Sequence, residues 1–542
     1  MSVGILVAIA LAAAILASLT ARHPLGPGVA AVGLGACVLI AVASPPLTTV
    51  VMGGATFALG QHGADVVASS AGSMLLLLGV AVAVRSTGPR VPAALAVVVA
   101  ALAAALAALN GSLMTPPSGA SAQFQTAGTG GPPIAIALVT AAAVVLVPIL
   151  AAGTDGAAEG AGTRTASRAL RVAAVAGGLG LVGMAWLPGP SGPVAPDATG
   201  VATALLLVAG AVGLFLGAMP LHTIVARAAV SGPVALVAAR AVWLPAAFAL
   251  AAVAWEQRVL APTIAFGDTA GTPLLGEARA LIAIVALVTI AGGAIVATLH
   301  TDLRHVLAYT LIGDAGLALL ALATADPAGP AAATTWLPAN AVARTAFAAW
   351  TLAVAGTWGT ARLDELDGWA RRTPLLALGL LAVTLATFGL PGWGIFTLRA
   401  SLTQATGGFM GSLMLAAAWL GVVPFARLAW VGLRRPVEED RAEPTTGPAR
   451  TRPVRAGWAG RFAGLAGVQR GAGDTMRPSA GDTTRRRAEG AGSRGTLRRA
   501  GDAVTAAWLA NGAVIAASLV LLAAVLAVVV SLRAGGMLAS VD

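Results

Sequence analysis

The chain has 542 residues, of which 58% are hydrophobic and only 10% charged, with a formal net charge of +11. A soluble domain carries about 25% charged residues, so this composition excludes a water-facing globular surface. All 33 basic side chains are arginine and lysine is absent. That matters for chemistry, because lysine can give up its proton inside a protein and arginine effectively cannot.

Apolar runs long enough to cross a bilayer core recur from end to end. They cover approximately 3–21, 27–45, 65–84, 90–109, 133–152, 170–188, 199–219, 233–255, 277–299, 304–325, 335–357, 373–406, 409–433 and 505–532. Helix is the state they predict, since an isolated strand leaves its backbone unsatisfied in lipid. The first run lacks the basic flank of a signal peptide and is read as a span. Run 373–406 exceeds one straight crossing and carries Pro391-Gly392 in its middle. A single broken helix is expected there, with two helices as the other reading. The fold class is thus an all-α membrane bundle of about fourteen helices. The one cysteine, Cys37, lies inside an apolar run, where it supports neither a disulfide framework nor a metal cluster.

Arginine sorts the loops. With the N-terminus outside, the inner loops hold Arg22, Arg85, Arg90, Arg164, Arg168, Arg171, Arg227, Arg304, Arg362, Arg371 and Arg372. The outer side keeps Arg258, Arg279 and Arg533 beside most of the acids, a positive-inside asymmetry that places both termini outside. Segment 110–132 is an uncharged Gly/Ser/Pro/Thr outer loop. Segment 434–504 carries fifteen Arg against eight Asp/Glu, seven of the net +11 charges. Its composition predicts a disordered, solvated cytoplasmic loop attracted to anionic head groups. The basic balance therefore describes topology, and no nucleic-acid partner is expected.

Charges retained inside apolar runs are functional candidates because burying them is expensive. These are Arg240, Asp314, Arg344, Arg399 and Arg427, the last close enough to an inner helix end to snorkel. Asp314 lies ten residues past Arg304, about 15 Å deep at helical rise. Arg344 lies about 20 Å deep in the following, antiparallel helix. An ion pair between them is expected, either as a structural bridge or as a station in a proton path. Catalytic motifs such as G-x-S-x-G, H-E-x-x-H, C-x-x-C or a P-loop are missing from the sequence. The histidines are His23, His62, His222, His300 and His305, of which the last two flank Asp302 at an inner helix boundary. An interfacial cluster is the expected role of that pair. No metal site and no cofactor are expected.

Four segments carry a family resemblance. LHTDLRHVLAYTLIGDAGLALL (299–320) resembles the Q-T-D-[LI]-K-R-x-x-A-Y-[ST]-S-[IV]-x-H-x-G stretch of the antiporter-like membrane subunits of respiratory complex I. NAVARTAFAAW (340–350) resembles that family's H-A-x-x-K-x-x-x-F segment. DELDGWARRTP (364–374) followed by FGLPGWGIFTLRA (388–400) resembles its D-x-x-x-x-G-L-x-x-x-x-P and G-[LI]-P-G-x-G-x-F-x-x-[EK] pattern. PLHTIVARAAVSGPVALVAARAVW (220–243) is a weaker copy of its P-F-H-x-W-L-P stretch. Order and spacing agree from about 200 to 433. The same domain occurs in multisubunit cation/proton antiporters and membrane-bound hydrogenases.

The resemblance implies an inverted repeat, and protons moving along a chain of lysine, glutamate and histidine. This chain departs from it. The lysine of D-L-K-R becomes Arg304 and the next arginine His305; the histidine before x-G becomes Asp314. The histidine and lysine of H-A-x-x-K become Asn340 and Arg344. The glutamate or lysine after the broken helix becomes Arg399. The lysine ending the P-F-H segment falls between Leu244 and Ala246, with Arg240 the nearest ionisable group. No glutamate occurs in any run before residue 200. A relay needs groups that titrate near neutral pH, whereas arginine fixes potential and holds water. The unwound backbone at Pro391, Gly392 and Gly394 keeps its reason to exist, since such backbone at mid-membrane must line a cavity or protein.

The resulting expectation has four parts: N-terminal membrane helices over 1–198, an antiporter-like core over 199–433, the basic loop 434–504 and a last helix over 505–532. The function implied is an antiporter-like subunit of a redox-driven or ion-translocating complex in the cell membrane, diverged toward reduced proton conduction. Its partners would be other membrane subunits and the lipid bilayer. A free-standing transporter with an arginine-balanced midplane site is the alternative, and a membrane-embedded enzyme a third reading.

Overall fold

The computed structural model describes residues 3–21, 23, 25–43, 48–52, 55–86, 90–110, 112–113, 131–152, 161–187, 197–223, 225–227, 233–266, 273–434 and 512–534. The helices are α1 (Val3–Leu19), α2 (Gly26–Ala43), α3 (Gln61–Ala83), α4 (Val91–Asn110), α5 (Gly131–Ala152), α6 (Ala161–Trp186) and α7 (Ala198–Leu216). They continue with α8 (Val234–Ile264), α9 (Pro273–Leu299), α10 (Leu303–Ala323), α11 (Ala328–Trp358), α12 (Pro374–Phe388), α13 (Gly394–Gln404), α14 (Gly408–Leu433) and α15 (Gly512–Ala534). Ten helices among the described residues are long and apolar enough to cross a membrane: α2, α3, α4, α6 from Ala166 onward, α7, α8, α9, α10, α14 and α15. Shorter apolar helices are α1, Gly131–Leu146 of α5, and α12. The chain is an all-α membrane protein in its spans. Most of the basic segment 434–504 and most of 110–132 lie outside the described residues.

One small element was not expected. Strands β1 (Thr48–Met52) and β2 (Ala55–Leu59) form an antiparallel hairpin, and β3 (Ser112–Leu113) adds to it. The hairpin links α2 to α3 outside the spans, where its edges need no helix to satisfy them.

The helix α11 is 31 residues long yet is not among the strongly apolar spans, because its interior carries Asn340, Arg344 and several threonines. It survives in a membrane fold by being surrounded with protein: Asn340 to Leu352 are buried throughout. Helices α3, α8, α10, α12 and α13 all touch it. Close approach of α9 to α10 depends on small residues, as is usual between membrane helices. A Cβ on Gly293 would stand 2.6 Å from the Gly313 nitrogen, and one on Gly316 2.7 Å from the Ala286 oxygen.

Contacts between loops sort the bundle into two ends. At one end Leu363 N–H donates to Thr301 O, Gly368 N–H to Val431 O, and Arg427 Nη1 to the Thr298 and His300 carbonyls. Arg427 thus caps the C-terminal carbonyls of α9. At the other end β3 pairs with β2, Arg258 Nη1 donates to Leu109 O, and Thr324 Oγ1 donates to Ala405 O at 2.6 Å. Segment 374–404 begins at the first end and finishes at the second, so α12 and α13 make one broken crossing. The break is set by backbone: Gly389 at φ 71° and Gly392 at φ 90° adopt conformations that other residues reach only with strain.

Candidate functional site

The midpoint of α10 and that of α11 meet. Asp314 sits eleven residues into α10, about 16 Å from its start at helical rise. Arg344 reaches it bidentately, Nε to Oδ2 at 2.5 Å and Nη2 to Oδ1 at 2.9 Å. Asn340, one turn before Arg344 and on the same helix face, donates its Nδ2 to Oδ2 at 3.0 Å. The carboxylate therefore accepts three donors, the fork geometry that arginine supplies and lysine does not. The Arg344 side chain is 3% exposed and that of Asp314 12%, so the pair is largely buried and its two charges offset each other.

Two small cavities flank this pair. The first, about 20 Å³, is lined by Asp314, Arg344, Arg399, Thr310, Phe388 and Ala418 among others. The second, about 40 Å³, lies on the opposite side between α8, α10 and α11, against Pro245, Trp336, Asn340 and Arg344. Each has room for a water molecule or a few. Asn340 Oδ1 and Arg344 Nη1 are buried polar atoms with no protein partner, so these walls can bind water.

Arg399 shares the first cavity but has no acid of its own. Its Nη1 donates to Thr387 O at 3.0 Å and its Nη2 to Ala418 O at 3.1 Å. Thr387 belongs to the last turn of α12, whose carbonyls have no intrahelical partner. Ala418 lies three residues before Gly421, where the helical run of α14 is interrupted. Both carbonyls stand at the negative end of a helical segment, so the broken helix supplies part of the counter-charge for this cation. Arg399 also lies over Phe388 at 4.6 Å from the ring centre, and Arg344 over Phe425 at 5.7 Å.

The remaining candidates sit elsewhere. Arg240 lies in a π-helical turn of α8 (Ala238–Trp243), with Nη1 buried and unpartnered. Its neighbours Ala241 and Val242 line the second cavity, but Arg240 does not. Below it, Trp243 Nε1 donates to Thr345 Oγ1 at 2.9 Å and ties α8 to α11. Arg304 and His305 stand at the start of α10, where Asp302 Oδ1 caps the helix by accepting from Arg304 N at 2.7 Å. They mark the end of the bundle rather than its centre. His305 stacks on His300 with ring centres 4.5 Å apart, and His300 on Tyr309 at 5.0 Å. Burial, then the neighbouring His305, holds His300 below the usual histidine range. Pro391 and Gly392 lie in the break and Gly394 opens α13, and none of the three lines either cavity.

Sequence reasoning undervalued several side chains. Asn340 was legible only as a substituted family histidine. Phe388 and Phe425 gave no signal, since aromatics in apolar runs usually mean core. Glu256, one residue past the apolar run 233–255, is 5% exposed in a π-helical turn and pairs with Arg279 at 3.7 Å. Before residue 197, the one acidic side chain inside a described helix is Asp65, near the start of α3.

The broken crossing and the buried charge cluster flanked by two small cavities describe a helical membrane protein with ionisable side chains at its centre. Residues 193–423 match the family described as NADH:quinone oxidoreductase/Mrp antiporter, transmembrane. NADH-quinone oxidoreductase subunit N 2 of Syntrophobacter fumaroxidans is 34% identical over 134 residues, 24% of this chain and 27% of that protein. NAD(P)H-quinone oxidoreductase subunit 2 of Synechococcus sp. is 33% identical over 190 residues, 35% of this chain and 34% of that protein. The aligned stretch thus spans about a third or less of these relatives.

The fold is shared more widely. A chain of an archaeal membrane-bound sulfane sulfur reductase superposes with TM-score 0.63 at 16% identity, covering 80% of this chain and 90% of that one. A chain of the Mrp complex from Dietzia sp. gives 0.59 at 20% identity, covering 80% of each. One of respiratory complex I from Thermus thermophilus gives 0.57 at 18%, covering 80% and 90%.

Proposed function

We propose that the chain is an antiporter-like membrane subunit of a redox-driven or ion-translocating complex of the NADH-quinone oxidoreductase type, diverged toward reduced proton conduction. The named relatives are subunits of such complexes, and the solved neighbours come from multisubunit membrane assemblies. The observation that carries the reading is the charge content of the centre. Three ionisable side chains, Asp314, Arg344 and Arg399, share one cavity, and two of them are arginines that stay protonated at physiological pH.

Asp314 is then the one group there that can take up and release a proton. Its carboxylate is held bidentately by Arg344, a cation fixed in the same helix bundle. Water in the two cavities can reach Asp314 from both sides, which gives a short path with a single relay. Arg344 and Arg399 set the potential along that path and repel a hydrated proton. Arg240, Arg304 and His305 act in this reading as fixed or peripheral charges outside the centre. An organic transport substrate needs a pocket of about 300 Å³ or more, so these cavities suit water and ions and favour this reading over a small-molecule transporter.

The arginine-rich end, with Arg304, Arg362, Arg371 and Arg372, faces the cytoplasm, following the positive-inside bias. The hairpin end and both termini face outward, in the cell membrane. The basic stretch 434–504 lies at the cytoplasmic surface near anionic lipid head groups.

Proton flux into proteoliposomes tests the proposal. Wild-type protein is expected to conduct weakly, and Asp314→Asn to abolish what remains. Lysine at 304, 344 and 399 together should raise flux. Robust wild-type flux insensitive to Asp314→Asn would overturn the proposal.

A further inference from the structure

A much larger cavity than those at the centre lies on the flank of the bundle. A half-open groove of about 400 Å³ runs between α2, α3, α11 and α15. Its ionisable groups are gathered at one end, with Ser69 and Thr335 the polar residues of the walls beyond. His62 and Asp65, three residues apart on the first turns of α3, and Arg533, in the last turn of α15, form a rim at the hairpin end of the molecule. Among the described residues none of the three is in an ion pair. Away from the rim the walls become apolar, ending at Val38, Gly72 and Leu526.

The dimensions fit a lipid. From His62 to Gly72 the groove follows ten residues of α3, about 15 Å at helical rise. That is half of the roughly 30 Å hydrocarbon core, the depth of a single leaflet. A charged rim at the surface and an apolar cleft of leaflet depth match a molecule with a polar head and a chain. The rim carries one carboxylate beside one guanidinium and one imidazole, which complements an ammonium and a phosphate together. We infer that this groove holds one zwitterionic aminophospholipid of the bilayer, its chain along Gly72 and its head group between Asp65, His62 and Arg533.

The seat is back to back with the buried site. Thr335, Pro338 and Ala339 face the groove, whereas Trp336, Asn340 and Arg344 of the same helix face the cavity beside Asp314. Pro338 has no N–H to donate, so the Thr334 carbonyl loses its helical partner and α11 is easier to bend there. A chain packed against Pro338 steadies the helix that carries Asn340 and Arg344.

Gly72 offers a clean probe. A Cβ there meets Leu526 at 3.7 Å and Val38 at 3.9 Å, ordinary contacts, so the position accepts a side chain and Gly72→Phe directs a ring into the cleft that Gly72 lines. Wild-type protein, purified in mild detergent, would be incubated with a phosphatidylethanolamine bearing a photoreactive group on its acyl chain. Crosslinks on α3 and α15 should saturate near one lipid per chain and fall at least fivefold in Gly72→Phe. Crosslinks on the exposed face of α9, at Leu281, Ile284 and Val288, should neither saturate nor change. Asp65→Asn with Arg533→Gln should remove the preference for phosphatidylethanolamine over phosphatidylglycerol. If Gly72→Phe does not fold, competition by unlabelled phosphatidylethanolamine against the wild-type crosslink reads the same site. Non-saturating labelling, an unchanged Gly72→Phe, a wild-type preference for phosphatidylglycerol, or a protein helix crosslinked in the groove would each overturn the inference.

Discussion

Phe388 and Phe425 stand edge to face with ring centres 5.5 Å apart, and each carries one arginine of the buried site. Arg399 lies over Phe388 and Arg344 over Phe425, so two like charges lining one cavity are screened by aromatic faces. A ring face attracts a cation through its quadrupole, by about 2 kcal/mol when desolvated. One carboxylate, two helix ends and two rings together hold two guanidiniums in the middle of an apolar bundle.

Removing one ring should loosen the site without unfolding the protein. Phe388→Leu is expected to destabilise by about 1–3 kcal/mol, from lost cation–π contact and lost packing. A thermal melt in detergent should show it, and Phe388→Trp should recover the loss because tryptophan offers the stronger face. A Leu variant as stable as wild type would mean that the ring is only filler.

The buried pair should behave as a unit. Asp314→Asn alone strands the Arg344 guanidinium and is expected to cost about 3–5 kcal/mol. Asp314→Asn with Arg344→Gln leaves two neutral groups beside Asn340 and should recover much of that. The double-mutant cycle on melting temperature checks it: a double variant no better than the worse single one would dissolve the pair as an energetic unit.

Arg399→Lys separates geometry from charge. Lysine keeps the positive charge but lacks the rigid planar fork that meets Thr387 O and Ala418 O together. It can also lose its proton in an apolar site. Lower stability by about 1–2 kcal/mol is expected, together with a measurable rise in proton flux through proteoliposomes. A flux that stays at the wild-type level would place Arg399 outside the conducting path.

The histidine stack at the arginine-rich end of the bundle should be acid-sensitive. His300 titrates below the ordinary value, chiefly by burial, then by His305 and by Arg427, with Asp302 opposing. The unfolded chain therefore takes up its proton first as pH falls. Stability present above the unfolded value of about 6.5 is lost as pH falls toward the folded value. Melting temperature should drop by a few degrees between pH 7.5 and 5, and His300→Gln should flatten that slope.

Topology is open to fusion reporters. A reporter after Arg487 should read as cytoplasmic and one at Ser118 as external, because arginine is concentrated on one side. A periplasmic signal at 487 would reverse the whole assignment.

Hydropathy and arginine placement in the sequence were enough to determine a polytopic helical membrane protein, the position of its broken crossing and the charges worth watching. Those properties are local: a span needs about twenty apolar residues in a row, and a charge inside one stands out. Even the Asp314–Arg344 partnership was within reach, because antiparallel neighbours at similar depth can be counted along two helices. Packing decided what counting could not. Nothing in the chain near Arg399 announces Thr387 and Ala418, whose carbonyls are free only because two helical segments end beside it. Glu256 lies just past the apolar run 233–255, yet a π-helical turn and Arg279 enclose it, and Arg240, a candidate by its place in an apolar run, lines neither central cavity. The groove on the flank needs four helices drawn from the beginning, middle and end of the chain. Depth along a helix can be read from its own residues, but rotation about its axis and the partner it faces are set by the neighbours it packs against.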